Sequence, residues 1–184
     1  MNVRKTKIPG LILIEPSVFG DERGYFLETY NEQRYRNLGV EESFVQDNIS
    51  FSRRGILRGL HYQKPMMQGK LVQVLQGEVF DVAVDVRHGS PTFGQWEGFS
   101  LSETNKHQFY VPPGFAHGFV VTSETALFSY KCTDLYNPDG EHSIAWNDPD
   151  INVQWPESRP QLSDKDQQGR LLRDMTREEL PDYG

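Results

Sequence analysis

One cysteine, Cys132, is all the thiol chemistry that these 184 residues hold. An intrachain disulfide and a Cys-rich zinc site are therefore both excluded. A basic excess is missing too: 19 Lys and Arg stand against 26 Asp and Glu, a formal net charge of -7, with no Lys/Arg run. That balance argues against a non-specific nucleic-acid binder and against a binder of anionic membranes. Long apolar runs are absent. After the opening Met1–Lys7 the first is Leu11–Ile14, far short of a signal-peptide core or a membrane span, so the cytoplasm is the expected compartment. No internal repeat, low-complexity stretch or linker interrupts the chain, and one domain spanning 1–184 is the economical reading.

What the sequence does have is hydrophobic residues at 36%, aromatics at 12%, and 16 Gly and 11 Pro spread throughout, which predicts many short strands joined by turns. From Glu78 to Arg87 the pattern alternates: Phe80, Val82, Val84 and Val86 on one face, Val79, Asp81, Ala83 and Asp85 on the other. That reads as a half-buried strand. Gln76-Gly77 separates it from a strand at Leu71–Leu75, as a hairpin turn would. Further strands are predicted at Leu11–Glu15, Tyr25–Tyr30, Val45–Phe51, Ile56–Gln63, Phe93–Leu101, Gln108–Val111, Gly118–Val121 and Ala126–Cys132. Turn chemistry lies between them at 20–24, 90–91, 112–114 and 137–140. Strands without βαβ alternation predict an all-β sandwich or barrel. Helical signals are few. Asn31–Leu38 reads as a short helix capped by Asn31 and stopped by Gly39; Ser163/Asp166 and Thr176/Glu179 have capping-box spacing. The polar tail after Pro156 is expected to wrap the barrel.

Five histidines are available, His61, His88, His107, His117 and His142. A metal site on a β-barrel commonly takes two of its ligands as H-x-H on one strand. Here that strand reads His61-Tyr62-Gln63, with Gln at the second position, which argues against a metal.

Several separated motifs carry a family resemblance. Arg58-Gly59-Leu60-His61-Tyr62-Gln63 is followed by Gln68-Gly69-Lys70-Leu71-Val72, then by Pro113-Gly114-Phe115-Ala116-His117-Gly118-Phe119, and finally by Leu162-Ser163-Asp164-Lys165-Asp166. Upstream stand Phe19-Gly20-Asp21-Glu22-Arg23-Gly24 and Val45-Gln46-Asp47-Asn48. Together, from about Ile8 to Gly169, they closely resemble the dTDP-4-dehydrorhamnose 3,5-epimerase family. The resemblance implies a cupin-type jelly-roll barrel with a few peripheral helices, a homodimer, and no metal or cofactor. It implies inversion of the two carbons flanking the ketone of a dTDP-linked 4-keto-6-deoxy sugar, in dTDP-L-rhamnose synthesis for bacterial surface polysaccharide.

The residues make sense of that chemistry. The substrate's own carbonyl is the electron sink, so no cofactor is required. A carbon acid beside a ketone lies on the order of ten pKa units above histidine, and each unit is worth about 1.4 kcal/mol. A base alone cannot close that gap; the developing oxyanion must also be stabilised. The resemblance makes His61 the base, Asp166 the carboxylate that orients it, Lys70 the enolate stabiliser and Tyr130 the acid on the opposite face. Taken without the resemblance, His61 and Tyr130 also read as buried strand residues, Lys70 as a solvated lysine and Asp166 as part of a helix cap. Arg23 and Arg58 match positions that bind the diphosphate. Glu28, Gln46, Asn48, His117, Glu141 and Lys165 match positions that hold sugar or nucleotide, and Tyr136 matches the ring that stacks on thymine. Phe19 and Arg23 lie near an N-terminal segment that such dimers exchange, which assigns them to the partner's site.

One tension is visible within the strand Ile56–Gln63. Strict alternation puts Arg58 and His61 on opposite faces, so both point inward only if the strand bulges, and Gly59 is the place for it. Cys132 reads as a small buried hydrophobe rather than a reactive thiolate. The alternatives are a 5-only or 3-only epimerase of another deoxysugar pathway, a metal-dependent cupin, and a non-catalytic sugar-binding jelly roll.

Overall fold

The computed structural model describes residues 1–184, the side chain of Lys5 excepted. Thirteen strands and two short α-helices form in chain order. The strands are β1 (Asn2–Lys5), β2 (Ile12–Glu15), β3 (Val18–Asp21), β4 (Gly24–Leu27), β5 (Gln46–Arg53), β6 (Leu57–Gln63), β7 (Lys70–Gln76), β8 (Glu78–Asp85), β9 (Trp96–Ser102), β10 (Gln108–Val111), β11 (Phe115–Val121), β12 (Thr125–Cys132) and β13 (Glu141–Ser143). The helices are α1 (Glu32–Arg36) and α2 (Asp164–Gln167). Six strands pair in the order β1-β2-β10-β7-β12-β5, and five in the order β13-β6-β11-β8-β9. The two sheets face each other as a jelly roll, the all-β class expected, while β3 and β4 pair only with one another.

The alternation explains which residues meet between the sheets. Val72 and Val74 of β7, Ala126 and Phe128 of β12, and Phe109 of β10 pack against Val79 and Ala83 of β8 and Phe119 of β11. The same faces turn polar toward one end of the sandwich. Lys70 precedes Val72 on β7, Tyr130 and Cys132 follow Phe128 on β12, and Gln46, Asn48 and Ser50 occupy the sheltered positions of β5. The barrel therefore has an apolar plug with a polar mouth.

β8 corrects the expectation of a half-buried strand. Both of its faces are covered. Val79 and Ala83 look into the sandwich, and Val82 and Val84 lie under Ile151, Leu172, Met175 and Leu180. The tail wraps the barrel as its sequence suggests, and it is tied down where His88 donates its N–H to the Pro181 carbonyl (2.8 Å) and Tyr183 donates to that of His88 (3.1 Å).

α1 starts as predicted, with Asn31 Oδ1 accepting the Arg34 N–H at 3.1 Å, and stops short of Leu38 because Gly39 turns to φ +102°. Thr176 and Glu179 do make the capping-box bond, Thr176 N–H to Glu179 Oε2 at 2.7 Å, yet only one turn forms. Pro181 follows at once and disfavours helix in the residue before it. Glycine 20 and Asp21, read as turn, belong to β3, so the turn is confined to Glu22-Arg23. β1, β3 and β13 were not foreseen: none carries more than a trace of alternation.

Candidate active site

β6 departs from regular pairing where the parity argument required it. His61 pairs with His117 and Arg58 with Phe119, so three steps on β6 match two on β11. The extra residue is a β-bulge, and Gly59 in it has φ +127°. A Cβ at Gly59 would stand 2.5 Å from Gly118 Cα and 2.8 Å from the His117 carbonyl oxygen. Only glycine permits that approach. Beyond the bulge both Arg58 and His61 reach the polar mouth.

The mouth is a cleft in two lobes of about 310 and 270 Å³, and His61, Lys70 and Tyr130 line both. The first lobe adds Gln46, Asn48, Tyr136 and Glu141; the second adds Arg58, His117, Lys165 and Asp166. Eleven of the fourteen residues singled out in the sequence thus surround one cleft. Phe19, Arg23 and Glu28 do not. Phe19 and Arg23 sit on the β3–β4 hairpin, where Arg23 pairs with Asp21, and Glu28 pairs with Arg34 at 3.1 Å.

His61 Nε2 lies 2.5 Å from Asp166 Oδ1. Asp166 is only 4% exposed. Burial alone would raise its carboxyl, but hydrogen bonds from His61, from Ser163 Oγ (2.8 Å) and from the Gly59 N–H outweigh it and hold the group below the usual carboxylate range. An ionised Asp166 accepts, so Nε2 carries the proton and Nδ1 keeps the lone pair. The capping reading of Asp166 holds at the same time, because its N–H donates to Ser163 Oγ at 3.2 Å. On the other side of the ring, His61 Nδ1 is 4.0 Å from Glu141 Oε1. Glu141 also accepts from Tyr136 Oη (2.7 Å) and pairs with Lys165; burial raises its carboxyl, and these partners more than reverse the effect.

Lys70 is not a solvated strand-end lysine. Burial pushes its ammonium below the ordinary value, against the pull of Cys132, Glu141 and Asp81, and among the described residues no carboxylate stands within ion-pairing distance of it. Its amine stands in the cleft without a fixed anion beside it. Tyr130 is likewise pushed up by burial, so its phenol keeps its proton at neutral pH. Burial also raises the Cys132 thiol, whose sulfur lies 3.6 Å from Asn48 Nδ2, which suits a packed thiol rather than a thiolate.

Sequence reasoning missed Asp81. It bonds His117 Nε2 through both oxygens, at 2.9 and 3.0 Å, and burial pushes its carboxyl up against the pull of His117 and Lys70. The signal was present, since Asp81 interrupts the apolar inward face of β8. Gln63 and Gln68 stand inside the family motifs but were not assigned to the site; their partners lie on the distant 134–137 loop. Among the described residues, no three His, Cys, Asp or Glu side chains converge where a metal ion could be held.

Residues 5–174 match the dTDP-4-dehydrorhamnose 3,5-epimerase family. A protein of that description from Pseudomonas aeruginosa is 56% identical over 176 residues, 95% of this chain and 97% of its own. The crystal structure of an epimerase from Legionella pneumophila in complex with dTDP-4-keto-L-rhamnose superposes with a TM-score of 0.97 at 55% identity, covering 100% of this chain and 98% of that one. A 3'-monoepimerase from Streptomyces bikiniensis in complex with dTDP-quinovose gives 0.89 at 34% identity, covering 97% and 92%. The bulged strand, the cleft and the sequence kinship point one way: this chain is an isomerase belonging to the dTDP-4-dehydrorhamnose 3,5-epimerase family.

Proposed function

We propose that the protein converts dTDP-4-dehydro-6-deoxy-D-glucose to dTDP-4-dehydro-L-rhamnose by inverting C3 and C5, a step of dTDP-L-rhamnose synthesis. The observation that carries the reading is the sharing of His61, Lys70 and Tyr130 by both lobes of one cleft, with Asp166 bonded to the imidazole. The sugar ring lies among these three. His61 Nδ1 takes a C–H proton beside the C4 ketone, and the electron pair moves onto the carbonyl oxygen. Asp166 keeps the ring in the right tautomer and steadies the imidazolium that forms. Lys70, desolvated and without a fixed anion, meets the enolate oxygen; in a buried site such a charge is worth far more than in water. Tyr130 returns a proton from the opposite face, and the centre is inverted.

Arg58 and Lys165 hold the diphosphate, and Tyr136 with Gln46 and Asn48 holds the nucleoside. His117, fixed by Asp81, and Glu141 bound the sugar. The chain acts as one domain, in the cytoplasm, as a homodimer. Support for the dimer comes from the β3–β4 hairpin, which pairs with no other strand and exposes Phe19 (66%) and Phe26 (69%), and from Ile49 (65%) and Phe51 (58%) on edge strand β5. An apolar arm and an apolar edge on one molecule suit exchange between two copies, which would bring Phe19 and Arg23 to the partner's cleft.

Turnover of the keto sugar in heavy water tests the reaction. Deuterium at both C3 and C5 is expected. Label at one carbon alone would favour the single-centre reading, for which the 3'-monoepimerase likeness is the supporting observation; no label at all would defeat both.

A further inference from the structure

We propose that three glutamines, Gln46, Gln63 and Gln68, form a cradle that holds the Asp134–Asn137 loop by its backbone and so fixes the Tyr136 ring as the platform for the nucleobase, with Gln63 as the central positioning residue. The proposal rests on the assignment of Tyr136 to the nucleoside made above.

The loop follows β12 and belongs to no sheet, so its backbone groups must find partners elsewhere. Side-chain amides supply them along four consecutive residues. Gln68 Nε2 donates to the Asp134 carbonyl (2.9 Å), and Gln63 Nε2 to that of Leu135 (3.0 Å). The Tyr136 N–H donates to Gln46 Oε1 (3.0 Å), and the Asn137 N–H to Gln63 Oε1 (2.9 Å). Gln46 projects from β5, Gln63 from the end of β6, and Gln68 stands just before β7, so the loop is tied to three separate parts of the chain.

Gln63 does most of this. It is 5% exposed, and its Nε2 also donates to the Met66 carbonyl, so one amide joins the 134–137 loop to the segment after β6. An amide is the group that can do so, because it offers donors and an acceptor together. It is also neutral, and so adds no charge at the mouth where a diphosphate enters. Gln63 occupies the second place of His61-Tyr62-Gln63, where a metal-binding barrel would put its second histidine; here that inward side chain is committed to the loop.

Tyr136, by contrast, is 53% exposed, and its side chain's one hydrogen bond among the described residues is Oη to Glu141. Its ring is therefore placed by the backbone beneath it and by that one bond at its tip. A ring placed in advance binds a base without the cost of ordering the loop.

Gln63→Glu tests this, because it keeps the acceptor for Asn137 and turns the two donations into repulsion. Two readouts apply: hydrogen exchange of the Leu135–Asn137 amides, and affinity for dTDP. Faster exchange is expected, with dTDP binding weakened about tenfold and KM raised by a similar factor while kcat stays within about threefold. In a Tyr136→Ala background Gln63→Glu should weaken dTDP no further, since it acts through that ring. Gln68→Leu, at a partly exposed position, removes only the Asp134 bond and should give a smaller change of the same kind; it serves if Gln63→Glu fails to fold. Faster exchange with unaltered dTDP affinity would overturn the proposal, as would an equal loss of affinity in the Tyr136→Ala background. Failure of the wild-type protein to bind dTDP marks a wrong substrate class instead, and is distinct from either result.

Discussion

At His61 the two ring nitrogens have different neighbours, and the difference decides what the residue can do. Nε2 is committed to Asp166, and Nδ1 is left toward the cleft. Removing the charge but not the shape, as in Asp166→Asn, should lower kcat by about 10³ through loss of the tautomer and of support for the imidazolium. The same variant has a stability signature. Asp166 titrates below its unfolded value, so its contribution is fully present above the ordinary carboxylate value of about 3.9 and is lost as pH falls through the lowered one. Denaturant melts should therefore show the gap between wild type and Asp166→Asn close toward acid pH; a gap that widens there would contradict the assignment. The sequence alone left Asp166 between capping and catalysis. The structure places the cap and the bond to the imidazole on one residue, because Ser163 serves the helix start and the carboxylate at once.

Among the elements, β6 controls the site. Its bulge turns Arg58 and His61 to one side, and its glycine lies almost on the backbone of β11. Gly59→Ala should cost at least about 2 kcal/mol in urea unfolding, since both the φ and the contact forbid a side chain. Its residual activity should fall beyond what that instability explains, because His61 moves with the strand; an active, stable Gly59→Ala would show the bulge to be incidental. This feature was legible beforehand because period-two parity is strict, and two inward polar residues three apart cannot both obey it. β1, β3 and β13 were not legible. Each is a strand of three or four residues held by its neighbours' register rather than by a pattern of its own. The double burial of β8 was hidden for another reason. An alternating strand looks the same from sequence whether its second face meets water or a chain segment some 70 to 100 residues later, as here with Ile151, Leu172 and Leu180.

For the whole molecule the open matter is where Arg23 acts. In one chain it lies outside the cleft, against Asp21. The proposed exchange of the hairpin between two copies would account for its place in the motif and for the bare apolar arm. Arg23→Ala and His61→Ala should each be poorly active alone. Mixed and allowed to re-associate, they should recover about a quarter of wild-type activity, since half the dimers are mixed and one cleft in each has both residues intact. Absence of recovery in dimers shown to have exchanged would place Arg23 in its own subunit's site. Cleft composition was largely legible from the motifs; the break that Asp81 makes in the inward face of β8 was visible, but its pairing with His117, 36 residues on, and the glutamine cradle, whose partners lie 66 to 90 residues away, were not.

In the proposed reaction base and acid stand on opposite faces of one sugar ring, and Tyr130→Phe is the decisive variant. The variant keeps His61, Lys70 and Asp166, so in heavy water it should still exchange the C–H protons that His61 reaches while epimer formation falls by several orders of magnitude. Exchange without inversion is the predicted result. Inversion at the wild-type rate in Tyr130→Phe, or loss of exchange in that variant with its retention in His61→Ala, would contradict the account.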